Sequence, residues 1–125
     1  RSQRGQTMVE FVIVLPIFLL LLLGIAQLGI AFNNYLALTD AVRQGARYGA
    51  PATCSGTCDR SSLVVQKVKD SASNLNQSQI TVNVTSTWQP GSDLRVCASY
   101  PYAISLIGLV VSSGNLNSCT TERVE

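Results

Sequence analysis

Hydrophobic and polar positions divide this chain of 125 residues into an apolar first part and a mixed second part. From Phe11 to Ala26 no side chain is polar, and Gln27 is the only polar side chain before Phe32. A helix from Phe11 to Phe32 would be about 33 Å long at about 1.5 Å per residue, enough to cross a bilayer. A cleaved secretory signal is the alternative, but no small-residue cleavage site with a polar mature start follows Ala26. The pattern therefore favours a retained membrane anchor.

The helical pattern continues beyond the apolar run and becomes amphipathic. It predicts one helix from about Thr7 to Ala50, with a kink or local unwinding near Val12 to Pro16, because proline lacks a backbone N–H. The apolar face narrows to small residues at its end, which would let another backbone approach closely. The predicted apolar face consists of Ala31, Tyr35, Leu38, Val42, Gly45, Ala46 and Gly49.

The second part of the chain predicts a short helix and a small sheet. Asp59 or Ser61 can cap a helix that runs to about Leu75. Apolar and polar residues then alternate in three segments, which is typical of strands, and residues 89–93 form a turn between the first two. A further apolar stretch, residues 103–111, is too short to span a membrane. The predicted strands are residues 80–85, 94–100 and 116–124.

These elements predict an α+β fold. A long N-terminal hydrophobic helix, kinked near Pro16, would be followed by a short helix and a small three-stranded antiparallel sheet. The expected organisation is a basic leader-like stub at residues 1–5, the hydrophobic and amphipathic helix at 6–50, and a disulfide-stapled, β-rich globular domain at 51–125.

Composition argues against catalysis and against nucleic-acid binding. The nine basic residues are scattered and the net charge is +2, so no face is dense enough in positive charge for nucleic acid. The chain has no histidine, its acidic residues are scattered, and no nucleophile–base arrangement or glycine-rich phosphate loop is visible. We therefore predict no enzyme activity, no cofactor and no nucleic-acid partner.

The four cysteines favour disulfides over a metal site. Zinc would need all four thiolates at a spacing that is not a paired knuckle pattern, and a c-type haem needs a histidine. An even number of cysteines in an exported chain fits disulfides, with three possible connectivities. A tight glycine-containing loop favours Cys54–Cys58, and strand alternation places Cys97 and Cys119 on one face, which favours Cys97–Cys119.

Two triplets, beginning at Asn76 and Asn83, have the form of N-glycosylation sites. Such triplets arise easily by chance, so the unmodified asparagine is the preferred interpretation.

Glu10 is the only acidic residue before Asp40, and it lies at the edge of the apolar run. A carboxylate there is costly unless it finds a partner, and such residues are usually functional. The order of a basic stub, Gly5, four residues, Glu10 and a hydrophobic helix resembles the cleavage site of type IV pilin-like precursors. The resemblance implies a prepilin peptidase cut between Gly5 and Gln6. It also implies that Glu10 neutralises the N-terminal amine of a neighbouring subunit during assembly.

The first fifty residues together resemble the TadE-like family of pilin-related proteins. The resemblance is strong over the helix and covers the β-rich part only in general pattern. It implies an envelope-exported protein of a tight-adherence (Tad) type system, in which members act as pseudopilins or minor pilins and some relatives build filaments. The residues that carry it are Arg4-Gly5-Gln6, Val9-Glu10-Phe11, Leu15-Pro16, the run from Leu19 to Gly24, Asn33-Asn34-Tyr35 and the segment from Ala41 to Ala50.

From these features we expect a structural subunit of an extracellular pilus-like filament, inserted in the cytoplasmic membrane before assembly. Its expected partners are copies of itself, the inner membrane, the prepilin peptidase and the pilus assembly machinery. Two alternatives stay open: a minor pseudopilin that remains in the membrane and supports another pilin, and a monomeric binding module anchored by one helix. The expected assembly residues are Glu10, Phe11, Leu15, Pro16, Leu19, Leu20 and Leu22.

Overall fold

Two helices and a three-stranded antiparallel sheet form the fold in a computed structural model, which describes residues 3–51 and 59–125. This arrangement confirms the predicted α+β class. The elements in chain order are α1 (Gln3–Gly49), α2 (Arg60–Ser71), a 3-10 turn (Gln77–Gln79), β1 (Thr81–Thr85), β2 (Asp93–Leu106) and β3 (Leu109–Arg123).

The first helix, α1, has 47 residues and contains Pro16. Residues 12–16 are all helical, so the local unwinding expected there is absent. A proline removes one backbone hydrogen bond, and the overlapping bonds of the neighbouring turns are sufficient to continue the helix. A bend at Pro16 stays a prediction.

The second helix, α2, begins as the sequence predicts and ends earlier. The side chain of Asp59 caps it by accepting a hydrogen bond from the backbone N–H of Ser61 at 3.0 Å. The helix ends at Ser71 rather than near Leu75, because Ala72 leaves the helical conformation and polar residues that favour turns follow it. Leu75 is nevertheless buried.

The sheet has the strand order β1-β2-β3, so β2 lies in the centre and pairs antiparallel with both neighbours. Before β2 the chain turns at Pro90-Gly91, where Ser92 N–H donates to the carbonyl of Gln89 at 2.9 Å. Gly91 has a φ of 81°, which the third position of a type II turn requires.

The last two strands are longer than predicted, and the apolar stretch at residues 103–111 forms the tip of their hairpin. β2 continues to Leu106 and β3 begins at Leu109. Ile107 and Gly108 make the two-residue loop, with φ values of 52° and 79°, as a type I′ turn demands. Alternation fails to reveal this hairpin because the stretch is apolar on both strands and because isoleucine is rare at positive φ.

The core lies where the C-terminal part of α1 meets α2 and the inner face of the sheet. On the predicted apolar face of α1, Tyr35 is still 39% exposed. The small residues of that face at the C-terminal end of the helix are buried as expected. The largest fully buried side chains are Leu38, Val42, Val64, Val68, Leu94 and Val96.

Gly45 and Gly49 provide the close approach that the sequence predicts, and α2 is the element that approaches. A Cβ at Gly49 would lie 2.6 Å from Cγ2 of Val64 and 2.8 Å from Cδ2 of Leu94. A Cβ at Gly45 would collide with Cγ2 of Val68.

The Cys97–Cys119 disulfide is present, which confirms that prediction. The two residues are directly opposite in the β2–β3 register, with Cα atoms 4.1 Å apart. Cys119 is exposed, so the disulfide cross-links β2 and β3 on the face of the sheet that is turned away from the core. Cys54 and Cys58 lie outside the described residues, and their pairing stays a prediction.

We expect Gly49→Ala to destabilise the folded domain by about 1–3 kcal/mol, because the new methyl group overlaps Val64 and Leu94 in a packed core. Thermal unfolding in detergent, followed by circular dichroism, measures the change. Gly29→Ala is the matched control, since nothing lies within 4 Å of a Cβ there and the substitution gains the same helix propensity. Equal midpoints for the two variants would contradict the close-packing argument.

Replacing both Cys97 and Cys119 by serine should lower the free energy of unfolding by about 3 kcal/mol on the chain-entropy account of disulfides. The bond encloses a loop with a sequence separation of 22. Denaturant titration of oxidised wild type and of the double variant tests this expectation. Mass spectrometry of an unreduced digest must also recover the Cys97–Cys119 peptide, and a link from either residue to Cys54 or Cys58 would show the pairing wrong.

Candidate functional site on the exposed surface of α1

The apolar part of α1 is exposed within the single chain. Between residues 5 and 30 no side chain is buried, and only Gly24 and Gln27 are even half-buried. In the described part of the chain, α1 is the one helix long and apolar enough to cross a membrane, and none of its most apolar window is covered by protein. The core helix of a soluble protein would be mostly buried, so the surroundings of this segment must come from outside the chain.

The sequence-predicted assembly residues all lie on this exposed surface, but they do not form one cluster. Phe11, Leu15, Leu19 and Leu22 fall within a sector of about 80° at about 100° per residue. We call this sector of α1 the open face. Leu20 points to the other side, although it is 40% exposed.

The β2–β3 hairpin lies along the side of α1 opposite the open face. At one end Leu94 of β2 approaches Gly49. At the other end Leu106 lines a shallow apolar groove together with residues of the apolar run of α1. Those helix residues are Ile17, Leu20, Leu21, Gly24, Ile25 and Leu28.

A hydrogen bond holds the hairpin to the apolar run. The side-chain amide of Gln27 donates to the backbone carbonyl of Ser105 at 3.0 Å. Gln27 is the only polar side chain between Phe11 and Phe32, and the bond gives its amide a partner within this apolar run. The sequence marks Gln27 as an interruption of the apolar pattern, but it does not identify the acceptor.

Glu10 lies exposed near the N-terminal end of α1, about 10 Å beyond the Ile17 end of the groove at about 1.5 Å per residue. Among the side chains described at residues 5–51 and 59–125, none forms a salt bridge with it. Gly5 and Gln6 are in the first turns of α1, and a Cβ at Gly5 would have nothing within 4 Å. The proposed peptidase site and the carboxylate therefore lie at the same exposed end of α1.

The remaining predicted sites lie on the globular domain, away from the exposed part of α1. Asn76 and Asn83 are both exposed. The side-chain oxygen of Asn76 accepts from the hydroxyl of Ser78 at 2.7 Å, within the same glycosylation triplet. Modification of these two residues stays a prediction.

Sequence reasoning missed one exposed apolar surface, the tip of the β2–β3 hairpin. Its side chains are 63–79% exposed. One available signal was the absence of any charged residue from Val96 to Thr121, in a region assigned to a water-facing domain. The exposed members are Ile107, Leu109, Val110 and Val111.

Nothing in the described residues forms a metal centre. No group of three or more histidine, cysteine, aspartate or glutamate side chains is placed to hold an ion within residues 3–51 and 59–125. The exposed part of α1 offers apolar surface, one carboxylate and one amide hydrogen bond, which suit association with another apolar surface.

Comparison with known proteins places the resemblance on α1. The family model described as TadE-like protein matches residues 5–47, which include Gly5, Glu10, Pro16 and the whole apolar run. No curated protein and no solved structure matches the chain. The family relates the chain to Tad pili and to pilin-like proteins. The match over residues 5–47 confirms the resemblance to the TadE-like family that the sequence predicted.

Proposed function

We propose that this chain is a structural subunit of an extracellular pilus-like filament and that it polymerises through α1. One observation carries the proposal: a helix of 47 residues is fixed at its C-terminal end in a folded core and leaves its apolar N-terminal part uncovered. The TadE-like match falls on that same helix, which supports a pilin-like role. In this arrangement the helices bundle inside the filament and the β-rich domain is displayed outside.

The open face of α1 is the surface best suited to a neighbouring helix. It carries large apolar side chains, and the hairpin lies on the opposite side. Gly29 also falls on this face at about 100° per residue, and nothing in the chain lies within 4 Å of a Cβ there. Small residues let helix backbones approach closely, which is how helices pack in an apolar environment.

Glu10 would orient the packing of the subunits. In a dry helix bundle an unpaired carboxylate is very costly, so it needs a cation or a donor. If the peptidase cuts after Gly5, the new amine of Gln6 on a neighbouring copy supplies the charge. If the stub is retained, Arg1 or Arg4 takes that role.

One observation favours the alternative of a minor pseudopilin that stays in the membrane and supports another pilin. The hairpin occupies one side of α1 at the level of residues 17–28, so fewer neighbours fit there than around a bare helix. Isolating sheared surface filaments distinguishes the two roles. This chain as the main component supports the filament subunit; its absence from filaments, with retention in the membrane, favours the pseudopilin.

Replacing Leu20 and Leu22 together by lysine should abolish filaments while the globular domain stays folded, since neither side chain belongs to the buried core. Each lysine costs about 2.5–3.5 kcal/mol at the centre of a membrane helix, so the amount of protein in the membrane must be measured beside the filament yield. Filament yield is measured after shearing, and recovery of the Cys97–Cys119 peptide reports the fold.

Two further variants make that experiment specific. Thr85→Lys with Thr121→Lys adds the same charge on exposed strand positions and should leave filaments intact. Leu22→Ala removes bulk from the open face without adding charge, so insertion should persist while assembly weakens. Normal filaments from the double lysine variant of α1 would rule the helix-bundle proposal out.

Glu10→Gln keeps the shape of the side chain and removes its charge, so it should reduce filament assembly far more than it reduces subunit stability. Filament yield and the thermal midpoint of the purified subunit measure the two effects. Glu125→Gln removes the same charge from an exposed position at the other end of the chain and should change neither.

N-terminal sequencing identifies the group that pairs with Glu10, because mature chains that begin at Gln6 exclude Arg1 and Arg4. If Glu10 only lies among lipid headgroups, the Glu10→Gln variant should assemble normally. That result would refute the proposed role of Glu10 in subunit packing.

A further inference from the structure

The hairpin tip reaches far along the apolar run of α1. From Leu94, beside Gly49, to Leu106 the extended strand covers about 41 Å at about 3.4 Å per residue. From Gly49 to Leu21 the helix covers about 42 Å at about 1.5 Å per residue. Leu21 and Leu106 line the same groove, as the nearly equal lengths of strand and helix require. The tip therefore lies about 16 Å past Phe32, at the level of the most apolar part of α1.

The composition of the hairpin suits an apolar environment at that depth. No charged side chain occurs between Arg95 and Glu122. The tip instead presents four aliphatic side chains to the outside: Ile107, Leu109, Val110 and Val111.

Hydrogen bonds satisfy part of the backbone at the tip. Within the tip, β2 and β3 pair with each other up to Leu106 and Leu109. β1 pairs with β2 only up to Ser99, which leaves the other edge of β2 without a strand near the tip. There the side-chain amide of Gln27 donates to the carbonyl of Ser105, so one hydrogen bond gives a partner to a polar group of the hairpin and to the one polar side chain of the apolar run.

Aromatic residues lie where this apolar region ends. Tyr102 of β2 lines a second groove with Phe32 and Tyr35, at the C-terminal boundary of the apolar run. Tyrosine is enriched at membrane–water interfaces because its ring is apolar and its hydroxyl is polar. The tyrosine pair thus marks a boundary, with the hairpin tip on the membrane side of it.

We propose that the hairpin tip, residues 106–111, inserts among lipid acyl chains beside α1 before the subunit is assembled. The hairpin is then a second membrane contact of the chain, in the leaflet next to the globular domain. The inference rests on the proposed membrane-inserted state, because the depth of the tip is set by its position along α1. It adds that the domain is attached to the bilayer by two elements rather than suspended from one helix.

Tryptophan reporters in the full chain test the insertion. The variants Val110→Trp, Phe18→Trp and Thr121→Trp place the probe on the hairpin tip, on the exposed apolar surface of α1 and on the exposed far end of β3. Each variant is reconstituted in phosphatidylethanolamine–phosphatidylglycerol vesicles, with and without lipids brominated on the acyl chains. Wild-type protein supplies the signal of Trp88, which is subtracted.

We expect blue-shifted emission and loss of intensity with brominated lipid at both Val110→Trp and Phe18→Trp, and neither effect at Thr121→Trp. The effect at position 110 should persist when the protein is diluted with excess lipid, because lipid and not another copy surrounds the tip. Recovery of the Cys97–Cys119 peptide from each variant confirms its fold.

Each contrary result has a separate meaning. Quenching at position 18 with none at position 110 overturns the hairpin proposal and leaves the membrane anchor intact. No quenching at either position means that the proposed anchoring itself fails. A blue shift at position 110 without quenching by brominated lipid, lost on dilution with lipid, shows that a second copy of the chain covers the tip, which also overturns lipid insertion.

Discussion

The close contact of the C-terminal end of α1 with α2 and β2 is the interaction on which the rest of this structure depends. Gly49 allows Val64 and Leu94 to approach the helix backbone where any larger residue would hold them away. That contact fixes the start of β2 beside the end of α1. Because β2 then runs antiparallel to the helix, its position also determines where the hairpin tip lies along the apolar run.

The helix therefore has two parts with different surroundings. Its C-terminal part completes a small core, and its N-terminal part has almost no protein around it. In the function we propose, a bilayer covers that apolar surface before assembly, and neighbouring helices cover it afterwards. In lipid there is no hydrophobic driving force between helices, so association must come from close packing and polar pairing. This is why Glu10 and the small residues of α1 matter more to the proposal than the number of leucines does.

Gln27 shows how the two parts are connected. Its hydrogen bond to Ser105 joins the apolar run of α1 to the β2–β3 hairpin at a point well away from the core. An amide without a partner in apolar surroundings would be costly, so the bond favours the hairpin lying against α1 over its swinging free. The same contact limits access to one side of the helix, which bears on how many copies can surround it.

The sequence by itself determined the α+β class, the long apolar helix, the TadE-like resemblance and the Cys97–Cys119 pair. Each of these depends on a local pattern: an unbroken apolar run, a glycine-to-glutamate spacing, or alternation along a strand. Only the tertiary structure decided that α2 fills the space left by Gly45 and Gly49 and that residues 103–111 form a hairpin tip. The physical reason is that both features depend on contacts between segments that are distant in the sequence. An apolar stretch has the same sequence pattern whether it contacts a core, a helix or lipid.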